Sequence, residues 1–365
     1  MDKNNISFSI FLPVRNGGKY LPLCVESILA QSYKLFELVI LENYSTDGSA
    51  EWLHELVQQD SRIKIVPSDK PLSIEKNWQR ILALPKNEFL TIVGHDDLLD
   101  PDYLLIMSNL IIQNPTAGLY HTHFRLIDSD GAVIRNCLPM PAQQTDAEFL
   151  KDILTFKIDS YGTGYVMRSE NYEKVGGMPD LHNLMFADHA LWITLLQGSW
   201  KATGQQECIA YRIHEISTSA LTSGIDYLIG LEQFVDFLSE IRKNDSTISH
   251  ACRKNLKKYI FSIHKKIYLR YLYEASQQNI ILESNVKDSI LLSLERLQPE
   301  LKHIFNKSIL INTIELLNKS RWRKMFSTVY RSRCRIIVGK IWRFFKSFAT
   351  TLQRFQNPLP TKPME

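Results

Sequence analysis

Two adjacent carboxylates, Asp96 and Asp97, stand in the segment GHDDLLDPDYL, directly after an apolar run and before a proline. Side by side, such oxygens can bind a hard divalent cation, which in turn can bridge the phosphates of a substrate. The plainer reading is that Asp100 caps the following helix and the pair is merely solvated. Position separates the two readings better than the dipeptide does, because ligands of open α/β sheets bind beyond the carboxyl ends of the strands. A second pair, His121 and His123, alternates along an expected strand and so shares one face. No third ligand stands near it in the sequence, and both histidines are read as structural.

The elements that must hold the acidic pair follow from hydropathy. Phe8–Val14 reads as a buried strand, and Leu21, Val25, Ile28 and Leu29 continue at helical spacing. A second strand, 37–41, ends in ENYSTDGS, whose Asn, Ser, Asp and Gly residues suit a turn and a helix start. The pattern recurs as a short strand at 63–66, a helix around 74–84, a strand at 88–93 and a helix after Pro101. Short apolar strands alternating with amphipathic helices predict an α/β fold with a mostly parallel sheet covered on both faces. The loops at 13–20, 42–48 and 94–100 then meet on one edge of that sheet, where a cleft is expected.

Beyond residue 118 the pattern is mixed, with strands around an SDG turn and further elements at 162–168, 186–197 and 211–214. From about 225 to 318 the periodicity is helical. The expected division is 1–222, itself in two halves at 1–105 and 106–222. A helical region at 223–318 and a basic, aromatic tail at 319–365 follow.

The 365 residues carry a net charge of +4, but residues 316 to 364 hold 12 Lys and Arg and no Asp or Glu. Without that segment and Glu365, 31 basic residues face 38 acidic ones, so the body is acidic and the tail basic. Basic residues interleaved with Trp322, Phe326, Phe344, Phe345 and Phe348 over 319–355 fit adsorption to an anionic membrane surface. Packing on the helical region and nucleic-acid binding are the competing readings, and no nucleic-acid partner is expected. The five cysteines are scattered without CxxC spacing, which suggests reduced thiols rather than disulfides or zinc. The N-terminus lacks the apolar run of a secretory signal, and no stretch reaches the length of a spanning helix. The expectation is a cytoplasmic protein, peripheral at most to the inner face of the membrane.

Four ordered motifs carry a family resemblance: LPVRNGGKYLPLCVESILAQSYKLFELVILENYSTDGS, VGHDDLLDPDYL, FADHALW and YRIHEISTS. Together they resemble family 2 of the glycosyltransferases with the GT-A fold, of the kind that assembles bacterial polysaccharides. The resemblance implies that Pro13, Val14 and Asn16 line the nucleotide pocket and that Glu42 contacts the base. Asp96 would lie near the donor's ribose or sugar, and Lys76 near its phosphates. Asp97 and His214 would hold a divalent cation, Mn2+ or Mg2+. Asp188 would be the general base that deprotonates an acceptor hydroxyl.

The activity implied is inverting transfer from a nucleotide-sugar donor, a UDP-sugar, to a glycan or lipid-linked glycan acceptor. A sugar nucleotidyltransferase is the alternative enzyme class, but its Gly-rich basic GTR loop is replaced here by PVRNGGKY. A noncatalytic nucleotide or carbohydrate module is the other alternative. The sequence departs from the family pattern at Asn43 and Tyr44, where Asp-Gly is common, at Ala187, and at Gly94, where many members have a first Asp.

Overall fold

The computed structural model describes residues 6–215, 217, 222–278, 284–308 and 311. The basic, aromatic tail expected to meet a membrane and the thiol of Cys334 lie outside these residues. Among the described residues no helix is long and apolar enough to cross a membrane. Cys24, Cys137, Cys208 and Cys252 are free, buried thiols, as their spacing predicts.

The strand Phe8–Val14 (β1) is buried along its whole length. It pairs in parallel with Phe36–Glu42 (β2) on one side and Phe89–Ile92 (β4) on the other, and β2 pairs with Ile63–Ile65 (β3). Continuous apolar runs give this both-sides burial, because parallel strands are covered by their crossover helices. Those helices are Tyr20–Leu29 (α1), Ser49–Leu56 (α2) and Ile74–Gln79 (α3). In α1 the positions Leu21, Val25 and Ile28 are at most 1% exposed, each contributing roughly 1.5–3 kcal/mol of burial.

The second half of the sheet departs from the parallel pattern. Leu98–Leu99 (β5) and the helix Tyr103–Gln113 (α4) are followed by the long strand Leu119–Ile127 (β6). Val133–Asn136 (β7) folds back on β6 across the SDG turn, and Gln143–Thr145 (β8) leads into the helix Asp146–Leu154 (α5). Val166–Arg168 (β9) is inserted antiparallel between β4 and β6, ahead of the helices Ser169–Lys174 (α6) and Ala187–Leu196 (α7). Trp200–Arg212 (β10) then runs parallel to β6 and antiparallel to β5 and β8. The order is β3-β2-β1-β4-β9-β6-β10-β5. The parallel expectation therefore describes β1 to β4, and antiparallel insertions complete the sheet.

These insertions position the site. Gly164 N–H donates to Ile92 O at 3.1 Å, so the loop preceding β9 lies against the end of β4. The end of β10 passes the same place, because Ala210 pairs with Leu98, just after the acidic pair.

From Gly224 the described chain is helical: Gly224–Asn244 (α8), Ser246–Gln278 (α9), Ser284–Leu297 (α10) and Pro299–Asn306 (α11). The chain forms two compact units, one up to Tyr259 and one from Ile260. Helix α8 belongs to the first, which therefore extends past residue 222: Phe186 stacks on Phe234 at 5.4 Å, and His182 pairs with Asp226 at 2.8 Å. In the second unit, His264 is buried with its Nε2 3.0 Å from Ser293 Oγ, and Phe305 packs against Phe261 and Tyr268.

Candidate active site

Asp97 is 1% exposed, and its placement is fixed by three contacts. Arg212 N–H donates to its Oδ1 at 2.9 Å, its own N–H donates to Gly94 O at 3.1 Å, and the Thr163 side chain hydrogen-bonds to it. Burial, and next the neighbouring Asp96, push its carboxyl well above the usual carboxylate range. Asp96 faces outward to His214, whose Nε2 lies 2.7 Å from Asp96 Oδ2. The His214 ring rests on Tyr20 at 4.8 Å. The Arg212 guanidinium also covers Tyr20, at 4.6 Å, while its Nε donates to Asp96 O and its Nη1 to Asp128 O. Asp100 is no helix cap. Arg125 holds both its oxygens, at 2.8 and 2.6 Å.

Gly94 shows what the two carboxylates enclose. A Cβ added there would meet Asp97 Oδ2 at 2.8 Å and Asp96 Oδ1 at 2.9 Å. One oxygen from each acid thus converges on a space that only glycine leaves open. His214 Nδ1 is buried without a partner among the described residues. Two carboxylate oxygens suit Mn2+ or Mg2+. Among the described residues no group of three or more His, Cys, Asp or Glu is placed to hold a metal ion. That agrees with cations that bind through one or two carboxylates and take their other ligands from substrate phosphates.

Asp188 lies in the first turn of α7, with its Oδ1 accepting from His189 N–H at 2.7 Å. The expected helix face is buried: Leu191 and Trp192 are each 1% exposed and Leu195 is 5% exposed. The helix starts from Phe186, held in a left-handed conformation at φ 64°, with its ring locked against Tyr227 and Phe234. A Cβ on Gly162 would lie 3.4 Å from Asp188 Oδ2. The next residue, Thr163, accepts from Gly94 N–H at 3.2 Å and bonds to Asp97. One Gly-Thr-Gly turn therefore touches Asp188 on one side and the acidic pair on the other. Tyr211 stacks on Tyr161 at 4.1 Å beside this turn. Burial, and after it Asp97, Asp96, Tyr161 and Asp188, raise the Tyr211 phenol far above its ordinary range.

The expected donor residues form a second cluster. Pro13 and Val14 are buried at the end of β1, where Val14 pairs with Glu42. Asn16 Oδ1 accepts from Thr46 N–H at 2.8 Å, and Asn16 N–H donates to Ser45 Oγ. Glu42 turns inward, its oxygens accepting from Tyr44 and Ser45 N–H at 3.2 and 2.6 Å. Lys76 is exposed on α3 and makes no side-chain contact with the other candidates. The cation beneath this cluster is Arg80, which donates to the carbonyls of Glu42, Val66 and Pro67 and to Asn77 Oδ1. His121 stacks on Tyr165 at 3.8 Å, and His123 bonds Gly204 O and Met140 N–H, so both are structural as expected.

Sequence reasoning missed Arg212, Thr163 and Arg80. Arg212 stands two residues before His214 in YRIH, and Thr163 sits between two glycines, which are the local signals that pointed to them. His214 meets Asp96 rather than Asp97, so the histidine and the more exposed acid act as one pair.

Residues 9–167 match the family model described as Glycosyl transferase family 2. Glycosyltransferase GlyG of Streptococcus pneumoniae is 27% identical over 123 residues, covering 34% of this chain and 41% of that protein. The putative teichuronic acid biosynthesis glycosyltransferase TuaG of Bacillus subtilis is 26% identical over 217 residues, covering 58% of this chain and 81% of that one. The chain thus spans well under half of GlyG and most of TuaG. Among solved structures, S. aureus TarS 1-349 in complex with UDP-GlcNAc aligns with a TM-score of 0.57 at 14% identity, over 89% of this chain and 92% of that one. Mannosyltransferase PcManGT from Pyrobaculum calidifontis, in complex with GDP-Man and Mn2+, aligns with a TM-score of 0.50 at 13% identity, over 88% and 83%. At these identities the likeness establishes the fold, an α/β GT-A fold followed by helices.

Filling the space above Gly94 tests the cradle directly. Gly94→Ala is expected to weaken Mn2+ binding at least about 10-fold, read by electron paramagnetic resonance of the free ion, because misplacing ligands by a fraction of an ångström is costly. Its melting temperature should fall by only a few degrees. Unchanged Mn2+ affinity would show that the two carboxylates do not hold the ion together.

Proposed function

We propose that this chain, whose residues 9–167 match the family 2 glycosyltransferase model, transfers a sugar from a UDP-sugar to a glycan hydroxyl with inversion at the anomeric carbon. The observation that carries this reading is the single Gly162-Thr163-Gly164 turn in contact with both Asp188 and the Asp96–Asp97 pair. A donor held at the pair would then present its anomeric carbon toward Asp188.

In this reading Asp97 and Asp96 would hold the divalent cation together, and His214, expected on the cation with Asp97, instead fixes Asp96. The ion, when bound, neutralises charge on the departing diphosphate. Asp188 takes the proton of the acceptor hydroxyl at a carboxylate oxygen. As the new carbon–oxygen bond forms, the bond to the diphosphate breaks, and the nucleoside diphosphate leaves with its electron pair.

The UDP-GlcNAc of the S. aureus relative and the teichuronic acid in the name of the Bacillus subtilis relative support a UDP-sugar donor and a cell-surface polysaccharide acceptor. Residues 1–105 would serve the donor and 106–222 the acceptor. The basic, aromatic segment 319–355 would hold the enzyme against an anionic membrane surface beside a lipid-linked acceptor.

Asp188→Asn is expected to lower kcat by about 100- to 10,000-fold while the Kd for UDP stays within about twofold. Retained turnover would remove Asp188 as base, and parallel loss of UDP binding would make it a donor residue. Truncation after Leu317 should abolish flotation with anionic liposomes; equal flotation of both forms would remove the membrane role.

A further inference from the structure

The loop after β2 contains a residue that the fold does not account for. Tyr44 is held at φ 56°, a left-handed conformation that glycine adopts freely and a bulky side chain does not. Its side chain is 49% exposed, and among the described residues neither its ring nor its hydroxyl has a partner.

The backbone beneath it is rigid. Glu42 accepts from the N–H groups of Tyr44 and Ser45. Asn43 is 2% exposed and forms a two-way pair with Leu72, its Nδ2 donating at 3.0 Å and its Oδ1 accepting at 2.8 Å. Arg80 holds Glu42 O from below at 3.2 Å. Asn16 and Asp47 are engaged in tying the first loop to this one, through Thr46, Ser45, Gly18 and Ser49. The polar side chains that could read the edge of a base are thus occupied in holding the loop. Among the residues that the loop exposes, Tyr44 supplies the one aromatic face.

Its place fits one end of a nucleotide. Strand β2 is separated from β4 by β1 alone, so the ends of β2 and β4 lie two strand spacings apart, roughly 10 Å. That matches the span between the base and the diphosphate of a nucleotide. The first loop bridges the gap: Asn16 touches the Tyr44 loop, and Tyr20 packs against His214 and Arg212 beside Asp96.

We infer that Tyr44 is the nucleobase platform of this enzyme, its ring stacking on the base of the donor while Asp96, Asp97 and His214 engage the diphosphate. The inference rests on the donor reading above. It departs from the sequence expectation, which gave base contact to Glu42. Stacking is satisfied by the face of any base, so the ring supplies affinity more than discrimination between bases.

The test is calorimetry of UDP and of inorganic pyrophosphate, each with Mn2+, on the full chain and on Tyr44→Gly, Tyr44→Asn and Tyr44→Phe. Glycine and asparagine both tolerate the left-handed backbone, so each keeps the loop while removing the ring. Both are expected to weaken UDP by about 5- to 10-fold and to leave pyrophosphate within about twofold. Tyr44→Phe should match the unsubstituted chain, and Tyr44→Gly should melt no lower than it in the absence of ligand. UDP affinity retained in Tyr44→Gly and Tyr44→Asn overturns the platform alone. Equal loss of UDP and pyrophosphate overturns it in favour of a structural role. Failure of the unsubstituted chain to bind any nucleoside diphosphate removes the donor reading and the platform together.

Discussion

Two carboxylates stand side by side where β4 runs out, and one of them, Asp97, is almost wholly removed from water. Charge in that position is tolerated only where donors are fixed around it, since an unpaired buried charge costs several kcal/mol. The donors come from far along the chain: the backbone N–H of Arg212 and the hydroxyl of Thr163. The site therefore cannot form until β9 and β10 have joined the sheet. The repulsion left between Asp96 and Asp97 is what a divalent cation would relieve, so the same constraint that organises the fold prepares the site for its ligand.

The antiparallel insertion of β9 makes this arrangement possible. A purely parallel continuation would have carried the chain away from the end of β4. Instead β9 pairs with β4 in reverse, and the turn before it, 162–164, is laid across the acidic pair. Gly164 is required at its position, because its φ is +69° and a Cβ would meet Ile209 Cδ1 at 2.3 Å. Arg212 then fastens β10 to Asp96 O and to Asp128 in the β6–β7 turn. Asp97 and Asp188 share this framework, which is how residues 91 positions apart in sequence keep a fixed relation.

Much of this was legible in local pattern. The fully buried β1 was readable to the residue, and the buried face of α7 followed from the spacing of Leu191, Trp192 and Leu195. The acidic pair was marked by its position at a strand end. What was not legible depends on pairing between distant segments. The polar strand WKATGQQECIAYR carries two register shifts against β6, so no clean alternation announces it. The inward turn of Glu42, the exposure of Lys76 beside a working Arg80, and the link from His214 to Asp96 all depend on which neighbours the fold supplies. The left-handed backbone of Tyr44 is likewise invisible in the letters ENYS, where asparagine or glycine would be the expected holders of such a conformation.

The central claim is that the Asp96–Asp97 cradle and Asp188 are two ends of one transfer site. A crystal structure of the full chain with Mn2+ and an unreactive UDP-sugar analogue tests it most directly. The account predicts the ion on oxygens of Asp96 and Asp97 above Gly94, with the diphosphate upon it and the sugar's anomeric carbon turned toward Asp188 across the 162–164 turn. A nucleotide bound away from the carboxylate pair, or a sugar directed away from Asp188, would contradict it.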